Sequence, residues 1–565
     1  MISEQAHGWR FDLHDPRVKP HHVSRKVCGV MSKRKKHLLI GLVLFGLLGF
    51  ILMLVAASIL AKRFQPYIRE QAILYLRRRF DSEVELGSLR VRMPQTSPLH
   101  LLLSRGRGAV ARVEGEGVSL RHKGRTDVPP MFTMKEFSFD VDLGTLFDTP
   151  KIVRLVTLDG MEINIPPKGK RPTLGSSNSG DLKTDAQDSS METGVIIEKV
   201  LVRNSNLVIL PKEEQKVPLR WGLHRVQLES VGVGVAMKYD AQLTNAKPPG
   251  EIDSQGSFGP WVAAEPGDTP LDGAYTFDNA DLGVFDGIAG ILHSEGKFEG
   301  QLDSIAVQGQ ATVPDFRLKS SGNRVPLSTR FDVLVDGTNG NTVLRPVFGT
   351  LGRTSFTTSG GIIKHDSDAA RGISLTVSMP NGNLQDLLRL AMKGPSFMEG
   401  VISLNTKIDI PPLTGKVKEK LLLDGNFQLS QGKFLRSSIQ DKIDMLSRRG
   451  QGEPKNEQID EVVHRMKGVF RLNNEVIAFK SLSFAVPGAA VDLAGSYNLR
   501  ADVLDFHGAL RLQAKVSQTM TGWKRWALKP VDPFFSKNGA GTFLRIKVDG
   551  TADDPNFGLD RGKKD

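Results

Sequence analysis

The sequence predicts a mainly β chain, on three observations. Apolar and polar residues alternate over short stretches, 57 glycines and 30 prolines supply turns between them, and helical apolar spacing becomes scarce once the strand pattern begins at residue 81. The stretch GKFEGQLDSIAVQGQATVPDFRL, 296–318, shows the pattern. Phe298 and Leu302 alternate with polar neighbours up to a turn at Asp303 and Ser304, after which Ile305, Val307, Ala311 and Val313 alternate on the opposite parity. Each strand therefore has one greasy side.

Before the strands come three segments. Residues 1–37 form a basic extension with 9 Lys/Arg against 3 Asp/Glu. Residues 38–61 are 24 uncharged, mostly apolar residues, enough at about 1.5 Å each to cross a hydrocarbon core of roughly 30 Å. A retained anchor is expected, longer than the apolar core of a signal peptide. The cluster Lys33, Arg34, Lys35 and Lys36 puts the amino terminus in the cytoplasm and the bulk of the chain on the far side. Met31 just before it is a second candidate start. Residues 62–80 then read as an amphipathic helix with Phe64, Tyr67, Ile68, Ala72, Tyr75 and Leu76 on one side. That stripe either packs on the first strands or lies in the membrane interface.

Charge location argues against nucleic acid. The formal charge is +13, but residues 1–37 and 62–125 carry it, on either side of the apolar run. A basic collar of this kind suits anionic headgroups. The only cysteine, Cys28, falls on the amino side of the run, which suits an oxidising compartment for the remainder.

Strands are expected over 81–167. A mobile loop follows at 168–194, rich in Gly, Ser, Thr and Asp. RLVTLDGMEINIP (154–166) and KVLVRNSNLVILP (199–211) align at a spacing of 45 and read as two hairpin units turning at Asp159-Gly160 and Asn204-Ser205. A central β-repeat region spans 195–420 and a carboxy-terminal β region 421–565. Both carry a recurring signature of glycine, any residue, then an apolar or aromatic one, as in GAYTF, GVISL, GNFQL, GVFRL, GSYNL and GALRL. A two-helix insertion is expected at 436–467, from Ile439, Ile443 and Leu446 and from Ile459, Val462, Val463 and Met466. TGWKRWALKPVDPFF interleaves aromatics and cations. Its Trp523, Lys524, Arg525 and Trp526 either sit at a membrane interface or belong to a loop with its aromatics turned inward.

Catalytic patterns are missing. There is no Walker loop, VGVGV at 231–235 lacks the third glycine of a dinucleotide fingerprint, and no nucleophile elbow or paired-His zinc motif occurs. The expectation is a protein without enzyme activity, cofactor or metal.

The anchor followed by PYIREQAILYLRRRFDSEVELGSL, the 296–318 cassette, and at the end GNFQLSQGKF, IDMLSRRG, FAVPGAAVDLAGSYNL and GTADDPNFGL together resemble the AsmA-like family of inner-membrane-anchored envelope proteins. The resemblance implies a long, curved, largely antiparallel sheet forming a hydrophobic groove. It further implies a role in moving phospholipid across the envelope or in outer-membrane assembly. On residue pattern alone a sandwich and a trough stay open. With the resemblance, the expected function is a periplasmic conduit for acyl chains, lined by Phe298, Leu302, Phe427, Leu429, Phe470, Leu472, Tyr497, Leu499, Leu510 and Leu512. The alternative is a scaffold that assists outer-membrane protein assembly. Expected partners are membrane lipids, the inner membrane through one helix, and an outer-membrane or envelope protein.

Overall fold

The computed structural model describes residues 69–77 in part, 82–92, 109–142 with 144, 151–166, 195–211, 216–232, 234–262, 265–364, 371–412, 415–536, 541–552 and 554–560. The expected anchor at 38–61, the basic cluster Lys33–Lys36 and the loop at 168–194 lie outside them. The chain divides into two units, 1–70 and 71–565, and every strand belongs to the second.

The strands are β1 (Ser82–Arg92), β2 (Val110–His122), β3 (Phe132–Asp142), β4 (Lys151–Asp159), β5 (Glu162–Ile165), β6 (Val195–Ile209), β7 (Leu219–Gly232), β8 (Met237–Thr244), β9 (Glu251–Phe258), β10 (Pro270–Asp281), β11 (Ile288–Ala289), β12 (Ile291–Gln301) and β13 (Ser304–Val313). They continue as β14 (Arg317–Leu318), β15 (Leu327–Val335), β16 (Thr342–Leu351), β17 (Thr354–Ile363), β18 (Gly372–Asn383), β19 (Met398–Ile410), β20 (Leu422–Phe434), β21 (His464–Asn473), β22 (Val476–Val486), β23 (Ala489–Asn498), β24 (Val503–Leu512), β25 (Thr542–Gly550) and β26 (Pro555–Leu559). All but β11 and β14, which pair with each other, form one sheet of 24 strands. Within it each strand pairs with the next one in sequence, as short turns dictate, except where β4 and β5 share the place between β3 and β6. At about 4.8 Å per step the sheet runs roughly 105 Å from β1 to β26. The 296–318 cassette is the β12–β13 hairpin, turning at Leu302 and Asp303.

One join is parallel. β4 and β5 lie end to end beside β6, with Leu155 opposite Lys199 and Ile163 opposite Leu207. The two aligned segments at 154–166 and 199–211 are therefore not hairpins. They cross the sheet side by side in the same direction, which the long connection between them permits. What reads as a turn at Asn204-Ser205 is an irregularity inside a continuous strand, with Asn204 at φ 48°. It sits beside the break between β4 and β5: Gly160 N donates to Arg203 O (3.1 Å) and Met161 N to Ser205 Oγ (3.1 Å).

Helices are few. Ile73 and Leu76, in helical backbone before β1, pack on Val84, Leu86, Val118 and Leu120, so this part of the 62–80 segment rests on the first strands. The Leu384–Ala391 helix starts at a capping Asn383 and packs with Met398, Ile402 and Leu429. The Ser437–Gly450 helix sets Ile443 and Leu446 on Val486, Ala489 and Leu512.

The second expected helix is absent: 451–463 is turn and loop, and His464–Asn473 is strand β21. Ile459, Val462, Val463 and Met466 fit a helical period, but Val462, His464 and Met466 also fit a two-residue one. Pairing with β20 and β22 selects the second, leaving Val462 buried and Val463 exposed.

Candidate functional site: one apolar face across the sheet

Residues opposite each other in a ladder share a face, so register decides which side chains line up. One row can be followed from β1 to β26 through every pairing but those of β5. It runs Val91, Val113, Phe139, Val156, Val200, Leu228, Tyr239, Gly256 and Gly273. It continues through Phe298, Val307, Val333, Leu344, Gly360, Leu375, Ile408 and Leu423. It ends Leu472, Ile477, Tyr497, Leu504, Gly550 and Pro555. The only polar atoms its side chains carry are two tyrosine hydroxyls. Tyr239 Oη meets Ser254 Oγ (3.2 Å) and Tyr497 Oη donates to Asp502 Oδ1 (2.9 Å). Burial pushes the phenols of Tyr239 and, in the next row, Tyr275 up from their ordinary value, as a poorly hydrated face requires.

The glycine signature has a physical reason here. A ring on one strand lies over a glycine on its neighbour: a Cβ on Gly273 would stand 2.7 Å from Phe298 Cζ, one on Gly309 2.8 Å from Phe331 Cζ, and one on Gly468 2.6 Å from Phe427 Cε1. Phenylalanines also step from strand to strand, Phe427 to Phe470 (6.3 Å between centroids), Phe470 to Phe479 (6.4 Å) and Phe479 to Phe506 (5.7 Å). The glycines leave room for large rings to approach the backbone of the neighbouring strand.

The expected lining residues fall into three groups. Phe298, Phe427, Leu429, Phe470, Leu472, Tyr497, Leu510 and Leu512 all stand on this face, but Leu429, Leu472 and Leu512 are buried and Leu510 packs on the same cluster as Ile443 and Leu446 of the Ser437–Gly450 helix. Leu302 has left the ladder for the β12–β13 turn. Leu499 lies beyond the end of β23 and is 45% exposed, so it faces water at the rim rather than the wall. Sequence reading missed the centre of the face, Phe331, Leu344, Phe356 and Leu375. Their strands lack an aromatic after the glycine, and the signal that finds them is the register itself. No residue of β8–β18 belongs to any of the four apolar clusters formed among the described residues, and these four side chains are only half-buried.

The opposite face is polar. A hollow of about 870 Å³ opens along β8–β16, its walls formed by Asp240, Gln255, Lys297, Gln308 and Asp332 on one side and Asp253, Glu295, Gln310 and Arg330 on the other. These residues alternate with the apolar row, and the lining also takes in Tyr275, Phe331 and Phe348. A twisted sheet is saddle-shaped and can be concave on both faces.

The aromatic-basic segment is turned outward: Trp523 is 75% exposed and Trp526 72%. The reading in which its tryptophans pack inward is excluded by that exposure. Among the described residues no helix is long and apolar enough to cross a membrane. Comparison with protein-family models, with curated proteins and with solved structures gave no match.

Proposed function

We propose that this chain binds phospholipid acyl chains along the apolar face and conducts them between membranes, with headgroups left in water. The observation that carries the reading is the register row from Val91 to Pro555 together with the half-buried stretch Phe331, Leu344, Phe356 and Leu375 at its centre, flanked on the same face by the buried Val313, Val347, Leu351, Val377 and Met379. Residues half-buried by their own neighbours still lack contacts on the outer side, and an acyl chain would supply them at about 25 cal/mol per Å² covered. On this reading the sheet curls into a groove and residues 38–61 anchor it in an inner membrane, as the resemblance to the AsmA-like family implies. Transfer along such a wall breaks no bond, so no catalytic group is required.

A second reading is supported by β26, which pairs with β25 alone among the described residues and exposes Phe557 and Leu559. A free edge strand is a template for another chain, as a scaffold for outer-membrane protein assembly would need.

The test is photocrosslinking of the full chain with a phospholipid carrying a diazirine in its acyl chain, followed by peptide mapping. Labels on β8–β18 are expected. Labels confined to 38–61 would remove the conduit reading, and a reproducible protein partner captured through β26 would favour the second.

A further inference from the structure

The two rims of the carboxy-terminal sheet carry different chemistry. At one rim the strands β20 to β25 are joined by the long connections 435–463 and 513–541, each with helical structure of its own. At the other, the turns 474–475, 499–502 and 551–554 are short and mix Glu475, Asp502 and Asp554 with Arg500, and Glu475 is ion-paired to Lys418 (3.1 Å) and Arg500 (3.5 Å).

The 513–541 connection has five Lys/Arg and one Asp. That aspartate fixes its base: Asp532 accepts from Ser517 N (2.8 Å) and Ser517 Oγ (2.7 Å), while Thr542 Oγ1 donates to Ala514 O (2.7 Å). On this footing the Trp523–Leu528 helix stands out from the sheet. Trp523, Trp526 and Phe534 are each more than 70% exposed, and Lys529 Nζ sits 4.2 Å from the Trp526 ring centre. Lys524 and Arg525 have no acidic partner among the described residues.

Three large rings held in water on a fixed base are a poor surface for a protein in solution, and isolated exposed apolar residues do not cluster in this way by default. Tryptophan beside cations is the composition of a bilayer interface, where the indole sits at headgroup level and each basic residue near an anionic surface contributes about 1 kcal/mol. We infer that this rim docks on an anionic phospholipid bilayer through Trp523, Trp526 and Phe534, with Lys524, Arg525 and Lys529 among the headgroups, while the opposite rim, built of short turns of mixed charge, stays in water. The inference is independent of whether the apolar face carries lipid, since docking needs only the rim.

The full chain is reconstituted in phosphatidylcholine vesicles and offered a second, labelled vesicle population of either phosphatidylcholine alone or phosphatidylcholine with about 30% phosphatidylglycerol. Capture of the anionic vesicles is expected, falling by about tenfold or more in 1 M salt and in the triple variant Trp523→Ser/Trp526→Ser/Phe534→Ser. Trp261→Ser, which removes an exposed tryptophan from the β9–β10 turn on the opposite rim, should leave capture unchanged. Equal capture of both vesicle types, or a triple variant that captures normally, overturns the proposal. So does an equal loss with Trp261→Ser. Thermal melting of each variant identifies a loss that comes from misfolding, and Lys524→Gln/Arg525→Gln, at exposed positions without a partner among the described residues, then provides the deciding comparison: normal capture by that variant also overturns the proposal.

Discussion

The ring of Phe427 lies across the backbone of Gly468, close enough that a Cβ on Gly468 would stand 2.6 Å from Phe427 Cε1. The two residues are directly opposed in the β20–β21 ladder. Gly468→Val should force the ring off the sheet and lower stability by about 1–3 kcal/mol, as overpacking does. Phe427→Leu in the same background should recover part of the loss. Chemical denaturation of the four proteins measures the coupling, and additive effects would contradict the contact.

His464 is fully buried between Phe434 and Phe484, each ring centroid 4.9 Å away, and neither of its nitrogens has a partner. Burial pushes its pKa down to about 4 from the ordinary 6.5. The unfolded chain then binds a proton that the folded chain does not, so stability falls as pH drops from about 6.5 towards about 4. The limit of that loss is on the order of 3 kcal/mol. His464→Leu should flatten the dependence, and its unfolding midpoint should fall less than the parent's between pH 7 and pH 5. Identical slopes in the two proteins would refute this account.

Asp444 is 1% exposed and accepts from Val462 N (2.9 Å), Glu461 N (3.1 Å) and Gln440 Nε2 (2.8 Å). It ties the Ser437–Gly450 helix to the loop that leads into β21. Asp444→Ala strands these donors and should cost about 2–4 kcal/mol, with Asp444→Asn costing less because one acceptor remains. Hydrogen exchange should show the added opening at Glu461 and Val462 first.

On the apolar face, Leu375→Asp places a charge in the row where no cluster covers the sheet. Bound phospholipid should fall, whereas Thr376→Asp, on the polar face opposite Lys407, should change stability by no more than about 0.5 kcal/mol. Phospholipid content with a preserved melting transition is the measurement. The better-covered Leu510 is a poorer probe, because it packs against the buried cluster of Val462, Val486, Ala489 and Leu512, and its neighbour Arg511 is ion-paired to Asp492 and so is not a neutral control.

Orientation is checked by fusions. A reporter active only outside the cytoplasm should work after Asp565 and fail before Leu38. The reverse pattern would invert the expected topology.

Local periodicity was enough to read the class of this protein and the greasy side of its strands. Alternation is a property of neighbouring residues, and a glycine every few positions signals close packing wherever the strand finally lies. Sequence also showed that 154–166 and 199–211 are related. It did not show that they run parallel, because parallel and antiparallel partners share one alternation and differ only in how the connection returns. The segment 456–467 was misread for a similar reason: Val462 and Met466 satisfy both periods, and only the strands on either side choose. Tertiary structure alone decided that Leu429 and Leu512 are covered while Leu375 is not, since burial depends on which helix crosses which strand. It also decided the outward stance of Trp523 and Trp526, which rests on Asp532 meeting Ser517 across 15 residues of chain, a contact that no local pattern encodes.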